Sequence, residues 1–194
     1  MVPAVGDPDL ETRRRPSLRE LIRAGDPDAV AGFYDARAAG IREYCASVVA
    51  AELVDEATLA SFIDLLGRVR EANDGGDLDE LLLKATRTAA AARTRVYLPA
   101  SRFGRLLGRR ERPAPEAVCH STPDLLAAEA NGELAAAPAA LLQHIRHCTA
   151  CKTTAARIHG AEWAFTREPA GEPGAGVRRR WLALAARDAG DAAG

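Results

Sequence analysis

The chain has 194 residues, of which 47% are hydrophobic, 27% charged and only 5% aromatic, a composition that excludes wholesale disorder and fits one domain or two small ones. With 26 basic against 27 acidic residues the formal net charge is −1, so any contact with a nucleic acid has to come from a local patch. No stretch reaches the roughly 18 apolar residues of a membrane span, and the first residues are acidic and proline-bearing, which predicts a cytoplasmic protein with no membrane partner.

Residues 1–17 carry Pro3, Pro8 and Pro16 and an Arg13-Arg14-Arg15 run without an apolar period, the pattern of a loose leader. From Leu18 apolar residues recur at helical steps: Leu18, Leu21 and Ile22, then Val30, Phe33, Tyr34, Ala38, Ile41, Cys45 and Val48. The spacing predicts a short helix and then a long one starting at Asp26-Pro27, where an acidic cap accepts free backbone N–H groups and proline forfeits no bond. Cys45, on the apolar stripe, reads as a small core residue. A third helix follows Val54-Asp55-Glu56, with Leu59, Phe62, Ile63, Leu66 and Val69 as its stripe, and stops at Asn73-Asp74-Gly75-Gly76. A fourth runs from near Asp77 through Leu78, Leu81, Leu82 and Ala85 to about Val96.

Pro99 and then Arg112-Pro113-Ala114-Pro115 interrupt this pattern, which places a linker at 99–116 between a helical domain at 18–98 and a second domain at 117–166. In the second, Ser121-Thr122-Pro123-Asp124 opens a helix through Ala130, Asn131-Gly132 turns the chain, and Leu141 to His147 forms another helix, before an apolar piece with Ile158, Trp163 and Phe165. Residues 167–194, rich in proline and glycine at the start, read as a flexible tail whose Arg178-Arg179-Arg180-Trp181 is a solvated charge run. The expected fold is all-α: a helical bundle joined to a second, small helical domain.

The sharpest chemical signal is His144-x3-Cys148-x2-Cys151, preceded by Cys119. A four-residue step puts His144 and Cys148 on one helical face, and the two-residue gap lets both thiolates reach one ion. Tetrahedral zinc needs four ligands; Cys119 is taken as the fourth, with His120 as its competitor. The alternative is that Cys148 and Cys151 are free thiols or a redox pair and His144 an ordinary surface residue. His147 projects away from Cys148 and is read as exposed, as is His159, which has no partner pattern.

Charge is segregated. Residues 43–80 hold ten acids and two arginines, whereas 84–112 hold nine basic residues against Glu111 alone. Within that stripe Lys84, Arg87, Arg93 and Arg95 are candidate nucleic-acid contacts, since cations in register can neutralise phosphates. The competing reading is that they pair with the acidic helix.

The segment from Cys119 to Cys151 resembles the zinc-binding anti-sigma domain, whose signature joins an L-x-x-Y-x-D-G-E-L stretch to H-x3-C-x2-C; here Leu126, Gly132, Glu133 and Leu134 match, with Glu129 at the tyrosine and Asn131 at the aspartate. The segment from Leu18 to about Arg95 resembles region 2 of the extracytoplasmic-function sigma factors. Phe33-Tyr34-Asp35-Ala36-Arg37 is similar to that family's L-Y-x-x-Y, and Leu81 to Thr88 follows its W-L-x-x-I-A-R-N helix, with Leu81 and Thr88 at the Trp and Asn positions. In the polymerase-binding D-A-x-Q-x-x-F helix, Glu56, Ala57 and Phe62 fit and Leu59 replaces the glutamine. The resemblance implies a non-enzymatic, sigma-factor-like transcription regulator acting on RNA polymerase or promoter DNA. Its alternative is an anti-sigma-type adaptor that grips a sigma factor, with a structural or redox-sensitive zinc. A further possibility is that the two halves bind each other.

Overall fold

A computed structural model describes residues 15–71, 77–98, 112–113, 117–134, 138–165 and 175–191. Among these are eight α-helices: α1 (Leu18–Arg23), α2 (Pro27–Val48), α3 (Val54–Glu71), α4 (Leu78–Ala91), α5 (Ala117–Ala130), α6 (Ala139–His147), α7 (Thr149–Phe165) and α8 (Ala175–Asp191). A single 3₁₀ turn, Ala51–Leu53, joins α2 to α3. Tyr97–Leu98 pairs antiparallel with Arg112–Pro113, a two-residue clip too small to change the all-α character.

The helix starts follow local chemistry. Ser17 accepts from the Glu20 N–H at 3.3 Å while its own N–H donates to the Glu20 carboxylate at 2.6 Å, a reciprocal capping box that satisfies two otherwise free donors of α1. Gly25, at φ 72°, turns the chain into α2, where Asp26 accepts from the Ala29 N–H at 2.8 Å and Pro27 sits in the first turn. Asp77 caps α4. The end of α3 is held from outside, because Arg23 donates both Nε and Nη2 to the Val69 carbonyl, at 3.0 and 2.8 Å.

Val30, Phe33, Tyr34, Ala38, Ile41, Cys45 and Val48 of α2 are all buried, as their spacing predicts. On α3 the stripe is rotated slightly: Leu65 is buried and Ile63 is 44% exposed, one helical step off the Phe62–Leu66–Val69 face. Helix α4 ends at Ala91, short of the expected Val96, and a hydrogen-bonded turn at Ala92-Arg93 follows it; Val96 is nonetheless buried, against Cys119, Ala150 and Cys151.

Two expectations fail on packing. The domain division expected at 99–116 is not a division of the core. Leu126 of α5 and Ala155, Ile158 and Ala161 of α7 belong to the same buried cluster as Phe33, Tyr34 and Phe62, with α7 lying along α2 and α5 against α4. The expected tail is helical over Ala175–Asp191, and α8 packs on α2 and α3. Its Trp181 is 1% exposed and completes an aromatic group, 5.2 Å from Phe62 and 6.5 Å from Tyr34 between ring centroids, with Tyr34 and Phe62 themselves 4.8 Å apart. The expected solvated run is also corrected at Arg178, which grips Asp35 with two parallel bonds of 2.6 and 2.7 Å. Residues 1–14 of the expected leader, the turn at 73–76 and most of the linker lie outside the described residues.

Trp181→Ala is expected to destabilise the fold by about 3–5 kcal/mol, the usual result of truncating a buried large aromatic. Urea unfolding should show it as a lower midpoint, while Trp163→Ala, at a side chain 64% exposed, leaves the midpoint nearly unchanged. Tyr34 carries a second expectation. Its buried hydroxyl has no hydrogen-bond partner among the described residues, and burial first, with Asp35 adding to it, pushes its pKa from 10.0 up to about 12. The unfolded chain releases that proton near 10 and the folded chain holds it, so this residue's contribution to stability is complete below pH 10 and is lost between about 10 and 12. Tyr34→Phe should therefore make the alkaline loss of stability shallower across that window without weakening the fold at neutral pH.

Candidate metal centre

Three short segments bring four donor atoms together. Helix α5 begins at Ala117, ahead of the expected Ser121, and runs through Pro123, so Cys119 stands in its first turn and the proline offers no N–H to the Cys119 carbonyl. Helix α6 delivers His144 in its last turn. The chain then breaks: Cys148 is extended, at φ −90° and ψ 110°, and α7 opens at Thr149 with Cys151 in its first turn. His144 and Cys148 thus do not share a continuous helical face as expected, although the Cys148 N–H still donates to the His144 carbonyl at 2.8 Å. The break turns the Cys148 side chain back toward α5.

The thiol sulfurs of Cys119, Cys148 and Cys151 and a ring nitrogen of His144 all lie within 4.8 Å of one another. Cys119 Sγ is 3.8 Å from Cys148 Sγ and 3.3 Å from His144 Nε2. A tetrahedral ion with metal–sulfur bonds of ~2.3 Å and metal–nitrogen bonds of ~2.0 Å separates two sulfurs by about 3.8 Å and a sulfur from a nitrogen by about 3.5 Å. These two separations match edges of one tetrahedron, and the remaining donor pairs lie within 4.8 Å. Cys119, Cys148, Cys151 and His144 form a cluster able to hold a metal ion, and His120, the competitor for the fourth position, is exposed on α5. His147 and His159 are exposed as expected.

The surroundings set the thiols apart. Burial, together with the neighbouring Cys151 and Cys148 sulfurs, pushes Cys119 up to about 12. Burial also raises Cys151, whose Sγ lies 3.4 Å from the Thr122 hydroxyl. Burial works against Cys148 too, but there the N–H groups of Cys151 and Ala150 at the opening of α7 and the contact with Cys119 prevail and hold its thiol below the ordinary range. Cys45 is elsewhere, fully buried in the core as expected, where burial raises its thiol to about 11 against the opposing hydrogen bonds of Thr58 and Ser61.

The candidate nucleic-acid residues are placed differently from one another. Lys84 pairs with Glu80 on the preceding turn at 2.8 Å. Arg87, only 13% exposed, reaches into the other half of the chain: its Nε donates to Glu162 at 2.7 Å and its Nη1 to the Ala130 carbonyl at 3.1 Å. Asn131 adds a bond from Nδ2 to the Thr88 hydroxyl at 3.3 Å, so its presence at the turn serves the contact with α4. Gly132, at φ 74°, makes that turn possible, and the Glu133 N–H closes it on the Ala128 carbonyl at 2.9 Å. Arg93 pairs with Glu56 at 3.1 Å, and Arg95 is exposed. The acidic partner of Arg93 lies on α3, the acidic helix; that of Arg87 lies on α7, where the sequence offered only an isolated Glu162.

Thiol order is directly measurable. After treatment with a chelator, brief alkylation near neutral pH should label Cys148 first and Cys45 last, because the thiolate is the nucleophile and Cys45 is both buried and held protonated. Peptide mapping that finds Cys45 labelled as early as Cys148 contradicts this placement. No protein family, no curated protein and no solved structure matches this chain, so what it does has to be drawn from the site's own chemistry.

Proposed function

We propose that the chain is a non-catalytic, sigma-factor-like transcription regulator that works through protein contact, with RNA polymerase or a sigma factor as its partner. A zinc ion held by Cys119, His144, Cys148 and Cys151 fastens its C-terminal half. The donor set of three sulfurs and one imidazole supports zinc, and four protein ligands leave no position for a reacting water, which supports a structural role. The observation that carries the protein-contact reading is the covering of α4. Arg87 and Thr88, the positions that resemble the base-contacting end of the sigma helix, are bonded to Glu162, Ala130 and Asn131 of the zinc-binding half. A strand would have to displace those bonds.

Other features agree. No helix among the described residues is long and apolar enough to cross a membrane, and all four cysteines are free, as they remain in the reducing cytoplasm where such a regulator acts. Tyr34 and Phe62, which carry part of the sigma resemblance, serve the core, so the polymerase-facing surface of this reading is the exposed edge of α3 around Asp55 and Glu56.

Purified chain should carry one equivalent of zinc, and Cys148→Ser should lose most of it and much of the thermal stability, since metal binding of this kind is coupled to folding. It should form a complex with purified RNA polymerase or a purified sigma factor and fail to bind a promoter-like single strand. The pair Asn131→Ala and Glu162→Ala, which uncovers Arg87, should raise strand binding. Tight, salt-dependent strand binding by the unaltered chain, with no complex to either protein, overturns this reading in favour of direct promoter contact.

A further inference from the structure

Where α2 runs into the 3₁₀ turn, a cleft of about 310 Å³ opens between that corner, the end of α4 and the middle of α7. One wall is apolar, made by Val48, Val49 and Leu53. Three guanidinium groups line the rest: Arg93 and Arg95 from the chain leaving α4, and Arg157 from α7. Arg93 is fixed in place, donating to Glu56 at 3.1 Å and to the Ala89 carbonyl at 3.0 Å. Arg95 and Arg157 are different, because neither has an ion pair among the described residues and both are exposed at the mouth. The one acid on the lining, Glu52, is itself exposed and makes no ion pair there.

The contrast with the paired cations of the stripe is what points to a ligand. Outside the cleft the fold gives Lys84 and Arg87 a carboxylate each, at 2.8 and 2.7 Å, and inside it Arg93 has Glu56 at 3.1 Å. In the cleft it gathers like charges from two distant parts of the chain and leaves two of them without an acidic partner among the described residues. Like charges brought together repel, and an external anion relieves that repulsion. Guanidinium forks match the oxygens of a phosphate group, which accept two parallel N–H bonds from each. The volume lies at the small end of those that take organic ligands, and the valine and leucine wall suits a flat apolar ring.

We propose that this cleft binds a small organic polyphosphate of mononucleotide size, its phosphates on Arg95 and Arg157 and its ring on Val48, Val49 and Leu53. The site needs neither the metal nor polymerase, and so stands or falls apart from the function proposed above. Because Arg95 and Arg157 come from the two halves of the chain, the ligand reads their packing against each other.

Calorimetric titration of the full chain with ATP, and separately with inorganic pyrophosphate, tests it. The expected result is one ATP per chain, weaker binding of pyrophosphate, and a loss of about tenfold or more in affinity for ATP in each of Arg95→Gln and Arg157→Gln. Both side chains are exposed, so circular dichroism should report an unchanged fold; Arg187→Gln, on α8 and outside the cleft, should bind as the original chain does. The proposal is overturned by the absence of saturable ATP binding up to about 1 mM, by an equal loss in Arg187→Gln, or by a single-stranded oligonucleotide that binds through Arg95 where ATP does not.

Discussion

Around the four donor atoms the fold buries little apolar material, and this is the constraint behind the rest. Helix α6 buries Leu141 alone, and the small cluster around the sulfurs consists of Val96, Cys119, Ala150 and Cys151. Small bodies with thin cores are commonly stapled by a metal or a disulfide. Here four donor atoms gathered from three segments are placed to form such a staple, and a bound ion would turn mutual crowding of buried sulfurs into ligation. Two of those sulfurs are pushed up by burial, so the protein alone favours their neutral form; an ion reverses that preference by displacing the protons.

What the staple positions is α7, and α7 carries the contacts between the two halves. Ala155 and Ala161 present small side chains that let α7 approach α2, with Ile158 filling the space between. Glu162 then meets Arg87 in a partly buried pair, and Arg157 reaches the corner of the bundle. A hydrogen-bonded charge pair of this kind is worth about 1.5–3 kcal/mol when it is shielded from water. Exposed pairs such as Arg37 with Asp79 contribute much less, despite a 2.6 Å separation. The joint therefore rests on apolar burial with one strong polar lock.

Much of this was legible in the residues, and what was not has physical causes. Asp26-Pro27 and Asp77 announced helix starts because capping is local chemistry, and the apolar period of α2 survived intact because that helix is buried along one whole face. The four donors of the metal centre were legible because thiolate and imidazole ligands need a fixed spacing. The chain break at Cys148 was not, since nothing in the H-x3-C spacing distinguishes a continuous helix from two helices meeting at the second ligand. Helix α8 was hidden by the prolines and glycines ahead of it; Arg178 and Trp181, three residues apart, share the face turned to the bundle, which only becomes visible once Asp35 and Phe62 stand opposite them, while Arg179 and Arg180 are exposed. The single core was hidden for a related reason, because alanine contributes little to an apolar stripe and yet permits the closest helix approach.

The basic stripe shows how far charge counting falls short of electrostatics. Four contacts to a single strand would give a binding constant falling with salt at a logarithmic slope of about −2.8, and one contact a slope of about −0.7. Lys84, Arg87 and Arg93 already have carboxylates, so each would have to give up an existing partner before gaining a phosphate. Arg95 alone of the four gives up nothing. A strand lying along this face would gain the electrostatics of one cation from a sequence that displays four, whereas a compact anion in the cleft would meet Arg95 together with Arg157, a residue 62 positions after Arg95 in sequence and brought there by the packing of α7 on α2.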